Sequence, residues 1–497
     1  MKRMIVSMCV LAVTAVMWAQ EPPKDAPKPA PKAATGPADP QKEGVAVTVY
    51  NGNFGVVREL RKMKVEGGDA KFTDVAKLID PTSVHFKSLT DPAAKLLEQN
   101  YQFDLVSADK LLQKYLDQQI EVFVKESDKN FAGKLLSFDA GQLVLQEAAG
   151  GLVMVQRPDN VRDIRFKSLP DGLLVKPTLV WKLATEKPGD QLLEVTYQTG
   201  GLDWHAEYVM VLQDDDASAD LSGWVSVNNQ SGKTYKDARL KFIAGDVKKV
   251  REQRNDGYGM EKGGRGDGAP AMEEKAFFEY HMYTFGREST LADSEVKQLE
   301  MFNPVRGLKT EKRYIYNPHR TWRWYGGRTI EPNFGLAGDK KVQVRVEFDN
   351  AEKNKLGIPL PAGKVRVYKQ DASDKAMEFI GEEMIDHTPR GERVKLVIGN
   401  AFDITGERKQ TSFKVETGRK WMEESFQVKV KNAKDSDVTV RVVEPMYRWN
   451  QWKITAESQE HLKVEQADEA DAFHVVWDVP VKAKGETILT YTVEYHW

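Results

Sequence analysis

Two short stretches hold the residues best suited to chemistry or contact. In MYRWNQWKIT, Met446 to Thr455, two tryptophans stand three residues apart with an arginine before the first and a lysine after the second. In TWRWYGGR, Thr321 to Arg328, Trp322 and Trp324 share one face of an extended segment, with Arg328 closing it. Flat aromatic rings beside hydrogen-bonding groups suit sugar rings or extended peptides. The competing reading makes the tryptophans sheet interior. In MYRWNQWKIT a bulge at Asn450 and Gln451 would bring Tyr447, Trp449, Trp452 and Ile454 to one side, leaving Arg448 and Lys453 facing solvent. The candidate contact residues are Trp322, Trp324 and Arg328, then Arg448 and an exposed Arg408 in GERKQ.

Other motifs fall short of their chemistry. Asp214, Asp216, Ser218 and Asp220 alternate as calcium ligands do, yet Ala219 and Val225 stand where the loop needs its glycine and closing glutamate. Asp214, Asp216 and Asp220 are therefore only a subordinate metal alternative, and the expected metal and cofactor content is none. GKT, Gly232 to Thr234, has Val227 where a phosphate loop requires glycine, so QSGKT is expected as a hairpin turn. RGD at Arg265 to Asp267 is a three-residue match in a Gly-rich charged stretch. The eight histidines are scattered without HxH or HExxH, and there is no GxSxG. Hydrolysis of polysaccharide would need carboxylates such as Asp386, Asp403 and Glu407 brought together by folding.

The elements that must position these residues are β-strands. With 497 residues the chain exceeds one ordinary core. Lys2 and Arg3 precede an apolar run to Trp18, which predicts a signal peptide over 1–19 with cleavage near Ala19. Cys9 is the only cysteine and lies inside that segment, so the mature chain would hold no disulfide and no thiolate. Residues 20–44 are rich in proline, alanine and lysine, the composition of an extended tether. Period-two alternation then predicts a β module over 45–104. A helix capped by Ser107 and five quick strands predict a small SH3- or Sm-like barrel over 105–170. Longer strands with turns at EKPGD, DDDAS and QSGKT predict an immunoglobulin-like sandwich over 171–340, interrupted by a mobile loop at about 249–275. A second sandwich region fills 341–497. The expected class is mainly all-β: serial antiparallel modules with one or two short helices.

Basic and acidic side chains number 72 and 74, so no overall field attracts nucleic acid or an anionic membrane. No later segment is apolar enough to span a bilayer as a helix.

YNGNFGVVRE, IDPTSVHFKSLTDP, LLEQNYQFDLVS, LDWHAEY, IPLPAGKVRVYKQ, FIGEEMIDHTP, IGNAFDITGERKQTSFK and VRVVEPMYRWNQWKIT together resemble an exported bacterial family, domain of unknown function 4139. WHAEY is more remotely similar to a segment of mucoidy-inhibitor type proteins. The resemblance runs from about Val45 to Trp497 and implies an exported all-β protein, with no activity or site residues to carry over. The expectation is thus a non-enzymatic binding or scaffold protein, periplasmic or secreted, whose partner is an envelope protein or glycan. The alternatives are an enzyme acting on envelope polysaccharide and calcium-dependent adhesion.

Overall fold

The computed structural model describes residues 42–497 except 104–107, 126–129, 158, 169–175, 246, 248–271, 278–279, 320–326, 336–337 and 372. The chain is mainly β. Strands β1 (Gly44–Tyr50) and β2 (Phe54–Val65) form an antiparallel hairpin. After β3 (Gly68–Thr73), β4 (His85–Ser88) and β5 (Lys95–Gln102) comes α1 (Ala108–Lys114), the one α-helix among the described residues. Its expected cap, Ser107, lies outside them.

Strands β6 (Gln119–Val124), β7 (Asn130–Phe138), β8 (Gln142–Glu147), β9 (Leu152–Gln156) and β10 (Val161–Phe166) form one sheet in the order β10-β6-β7-β8-β9. The barrel expected here does not close, because β9 and β10 both remain edges. Alternation buries Leu135, Leu143, Leu145 and Val155 on one face, and Leu112 and Tyr115 join that core. Helix α1 therefore covers what sheet closure would have covered.

The next group is β11 (Thr178–Ala184), β12 (Gly189–Gly200), β13 (Leu202–Leu212), β14 (Ser218–Asn229) and β15 (Tyr235–Ala244). Residues 248–271, including RGD and most of the expected mobile loop, lie outside the described set. Strand returns at β16 (Met272–Phe277), earlier than the loop was expected to end, followed by β17 (Tyr280–Phe285), β18 (Ser289–Leu291), β19 (Glu295–Lys309) and β20 (Glu311–Tyr316). One sheet runs β16-β17-β15-β1-β2-β12-β4 with β18 beside β15, and a small one runs β3-β11-β5. The N-terminal hairpin is thus enclosed by later strands, β1 lying parallel to β15 and β2 antiparallel to β12.

DDDAS is a hairpin turn, joining the paired strands β13 and β14. EKPGD and QSGKT are not, since each joins strands of different sheets. At QSGKT the crossing is held by Asn229, whose amide donates to the carbonyls of Lys233 and Ala292 at 2.8 and 2.9 Å. Lys233 turns inward, and its Nζ donates to buried Glu59 Oε1 at 2.8 Å. Glu59 also accepts from Tyr197 Oη at 2.7 Å and pairs with Arg61.

The remaining strands are β21 (Lys341–Asp349), β22 (Gly363–Gln370), β23 (Met377–Ile385), β24 (Arg393–Glu416), β25 (Trp421–Asn432), β26 (Val438–Pro445), β27 (Trp452–Glu457), β28 (His474–Val481) and β29 (Glu486–His496). A five-stranded sheet runs β19-β14-β13-β22-β23, and the largest C-terminal sheet runs β27-β29-β25-β24-β21-β20-β26-β28. Strand β24 is its corner: residues 393–400 and Thr405 pair with β21, whereas 404–416 pair with β25. The two halves enclose one core that includes Phe426, Val442, Trp477 and Tyr491. The bulge expected at Asn450 is replaced by a six-residue non-strand crossing, 446–451, because β26 and β27 lie in opposite halves.

Candidate functional site

Period two decides which side chains of the C-terminal strands face inward. On β24, Arg408 is in phase with buried Ile404 and Gly406, and on β25, Glu424 is in phase with Met422 and Phe426. On β26, Glu444 is in phase with Val440 and Val442. The chain then bends, and Tyr447 and Arg448 follow into the same interior. Four charges therefore enter an apolar core, where each needs a partner.

They form two pairs. Arg408 Nε donates to Glu444 Oε2 at 2.8 Å, the same oxygen that accepts from Tyr491 Oη at 2.8 Å. Arg448 Nη2 lies 2.7 Å from Glu424 Oε1, which also accepts from Gln410 at 2.7 Å and Tyr447 Oη at 3.0 Å. Tyr447 stands between the arginines, whose guanidinium carbons are 5.5 and 5.4 Å from its ring centre. The Arg408 guanidinium also stacks 3.7 Å from the Phe426 ring centre.

Burial opposes both charged arginines, but Glu444 holds Arg408 well above its ordinary pKa and Glu424 raises Arg448. Burial, then Glu424, pushes the Tyr447 hydroxyl up to about 12. Burial and the nearby Arg408 charge drive His319 down to about 4. Among the described residues, four buried atoms of these pairs have no hydrogen-bond partner: Arg408 Nη2, Arg448 Nε, Glu424 Oε2 and Glu444 Oε1.

Three guanidinium nitrogens of the arginines also reach one irregular segment, residues 327–335, here called the strap. Arg448 Nη1 donates to the carbonyls of Thr329 and Glu331 at 3.2 and 2.7 Å. Its Nη2 reaches those of Pro332 and Phe334 at 3.4 Å each. Arg408 Nη1 donates to Gly335 O at 3.1 Å. Gly335 has φ +70°, and a Cβ there would lie 2.5 Å from the Tyr447 ring, so both conformation and space call for glycine. The strap's outer side is exposed from Glu331 to Phe334. At its start, exposed Arg328 lies 4.6 Å from the Trp497 ring centre.

Three residues singled out from sequence thus meet at the strap, two of them in roles that differ from expectation. Arg328 is exposed. Arg408 and Arg448, expected to face solvent, are buried, because each is in phase with or follows an apolar inward series. Trp322 and Trp324 lie outside the described residues. Trp449 and Trp452 are half-buried against the C-terminal core and Lys453 is exposed. Sequence reasoning missed Glu424 and Glu444, although the phase of each strand marked both as inward, whereas Tyr447 is buried on the inward side it was expected to take.

The carboxylates considered for catalysis are not gathered at the strap. Asp403 and Glu407 lie four residues apart on β24, about 13 Å along a strand, each beside its own lysine, Lys434 and Lys340. Asp386 is exposed beyond the end of β23. Asp216 is engaged by Lys312 and Lys369, and Asp220 accepts from the Gly307 amide at 2.9 Å. Among the described residues no three His, Cys, Asp or Glu side chains are grouped to hold a metal. A separate groove of about 340 Å³ is lined by Phe302, Pro304, Val305, Arg306, Lys355 and Ile358, and offers cations without a carboxylate.

A family model described as a domain of unknown function, DUF4139, matches residues 193–497. The chain belongs to that family. The DUF4139 match begins within β12 and contains the whole arginine network and strap, whereas β1 to β11 precede it. No curated protein matches the chain. No helix among the described residues is long and apolar enough to cross a membrane.

Proposed function

We propose that this DUF4139 protein is an exported binding or scaffold protein of the cell envelope, without catalytic activity, and that the strap at 327–335 is part of its contact surface. One observation carries the reading: two buried arginines direct their donors onto five backbone carbonyls of a single irregular, solvent-facing segment. Holding a loop in one shape before contact lowers the ordering cost of binding. The pairs are a costly way to fill a core, because buried ion pairs seldom stabilise more than apolar residues of similar volume. Their use beneath a loop is accounted for by positioning. The apolar N-terminal segment and the Pro-rich tether support export, and an envelope glycan or protein is the expected partner.

The test is co-sedimentation of the mature chain with purified sacculi and with outer-membrane vesicles. Arg328→Ala with Phe334→Ala removes two exposed strap side chains and leaves the buried network intact. Retention of the wild type, reduced at least tenfold in the double variant, supports the strap. Equal retention of both moves the contact elsewhere, and no retention of either on any fraction overturns the envelope-binding reading.

A further inference from the structure

Edge strands are a hazard, because their free N–H and C=O groups template pairing with another chain; natural edges are commonly blunted by charged residues or proline. This molecule follows that rule at nearly every described edge. Lys71 sits on β3, Lys87 on β4, Glu98 on β5, Arg165 on β10, Glu382 on β23 and Lys453 on β27. Strands β16, β19 and β28 also carry charges. Among described edge strands of four or more residues, β9, sequence LVMVQ, alone has neither charge nor proline.

Its side chains differ from those of a blunted edge as well. Val153 and Val155 face the core with Leu145 and Leu143, whereas Leu152 and Met154 stand 65% and 63% exposed on the opposite face. On β8 their cross-strand neighbours are Gln146 and Val144, both uncharged. No described strand pairs along the outer side of β9.

We infer that β9 is a self-association edge, at which two copies of this chain pair antiparallel and join their five-stranded sheets into one of ten strands. The occupant is a second copy because a neutral strand set against itself by a twofold axis brings no like charges together. Centred on Met154, the pairing sets Met154 against its copy and Leu152 against the copy's Gln156. The two Leu152–Met154 faces then form one continuous apolar stripe. Pairing β9 with β10 of another copy would instead set an apolar strand against Arg162, Asp163 and Arg165, and would leave edges free to propagate. The contact is about 17 Å long, small for a stable interface, so the dimer forms at about 1 to 100 µM.

Sedimentation equilibrium of the mature chain from 1 to 300 µM tests this. The expected result is a mass rising from one copy to two and stopping there. Met154→Lys sets two ammonium groups against each other across the axis and should raise the dissociation constant at least tenfold. Met154→Glu should do the same, and mixing the two variants should restore a dimer of one copy each. Circular dichroism confirms that both variants are folded, as expected for an exposed position. A monomeric wild type at 300 µM, a mass that rises beyond two copies, or a dimer indifferent to Met154→Lys each overturns the proposal. A monomeric wild type that binds an extended strand of another protein at β9 would assign the edge to that partner instead.

Discussion

Two clusters of buried charge invite comparison. In the N-terminal core Glu59 collects Lys233, Arg61 and Tyr197, and Lys233 also donates to the carbonyl of Asp74. No buried side-chain atom of these four residues lacks a partner. In the C-terminal sheet the two arginine–glutamate pairs leave four buried atoms without one among the described residues. The first cluster is closed and locks one crossing between sheets. The second is incomplete within itself and directs its donors onto a surface segment. Similar side chains thus serve either to fix a core or to fix the shape of a surface, according to where their spare hydrogen bonds point.

The largest effect should come from breaking the closed cluster. Glu59→Leu leaves Lys233 buried without its carboxylate and should lower unfolding free energy by about 3–5 kcal/mol, measured by urea denaturation. Adding Lys233→Met should recover most of that loss, since removing both partners costs far less than removing one. A double variant as unstable as the single would deny that the cluster acts as a pair.

Arg448→Met with Glu424→Gln makes the corresponding change beneath the strap. We expect about 1–3 kcal/mol of lost stability together with a local signature. The amides of Thr329 and Phe334, which donate to Arg448 O and Glu331 O, should exchange with solvent at least tenfold faster. The Glu59–Lys233 double variant should leave those two amides unchanged. Equal protection in both variants would erase the distinction between the clusters.

His319 gives the strap side a pH dependence. Its folded pKa of about 4 lies below the unfolded 6.5, so the unfolded state binds more protons between those values. Stability is full above pH 6.5 and falls as pH drops toward 4, by about 2 kcal/mol after allowance for partial exposure. Urea midpoints of His319→Phe across that range should lose this component of the slope, and an unchanged slope would assign it to other groups. Gly335→Ala should lose more than the about 1 kcal/mol set by its positive φ, because the added Cβ would also lie 2.5 Å from the buried Tyr447 ring, and urea denaturation measures the loss.

Much of the strand pattern is legible in the sequence, because one-sided burial writes itself as alternation. Arg408 shows where that reading slips. Its phase with Ile404 and Gly406 marks it as inward, but a charge in a polar stretch invites assignment to the surface. Glu424, inside the series Met422, Phe426 and Val428, carries the same signal. Sheet membership is harder to read. DDDAS, EKPGD and QSGKT have similar turn chemistry, yet only the first joins paired strands, since turn residues encode a reversal of direction and say nothing about which sheet receives the next strand. The strap is legible least of all: its shape depends on carbonyl contacts made by residues more than 70 positions away.

The parallel pairing of β1 with β15 has a consequence for synthesis. Ala46 faces Arg239, a partner 193 residues later in the chain. At about 5–20 residues per second, a ribosome needs roughly 10–40 s to make that partner. Throughout that interval Val47, Val49 and Val57, fully buried in the finished molecule, have no completed sheet to enter. The nascent hairpin therefore waits with an apolar face uncovered until mid-chain strands β12 and β15 arrive, and it is sealed before the C-terminal sheet has been made.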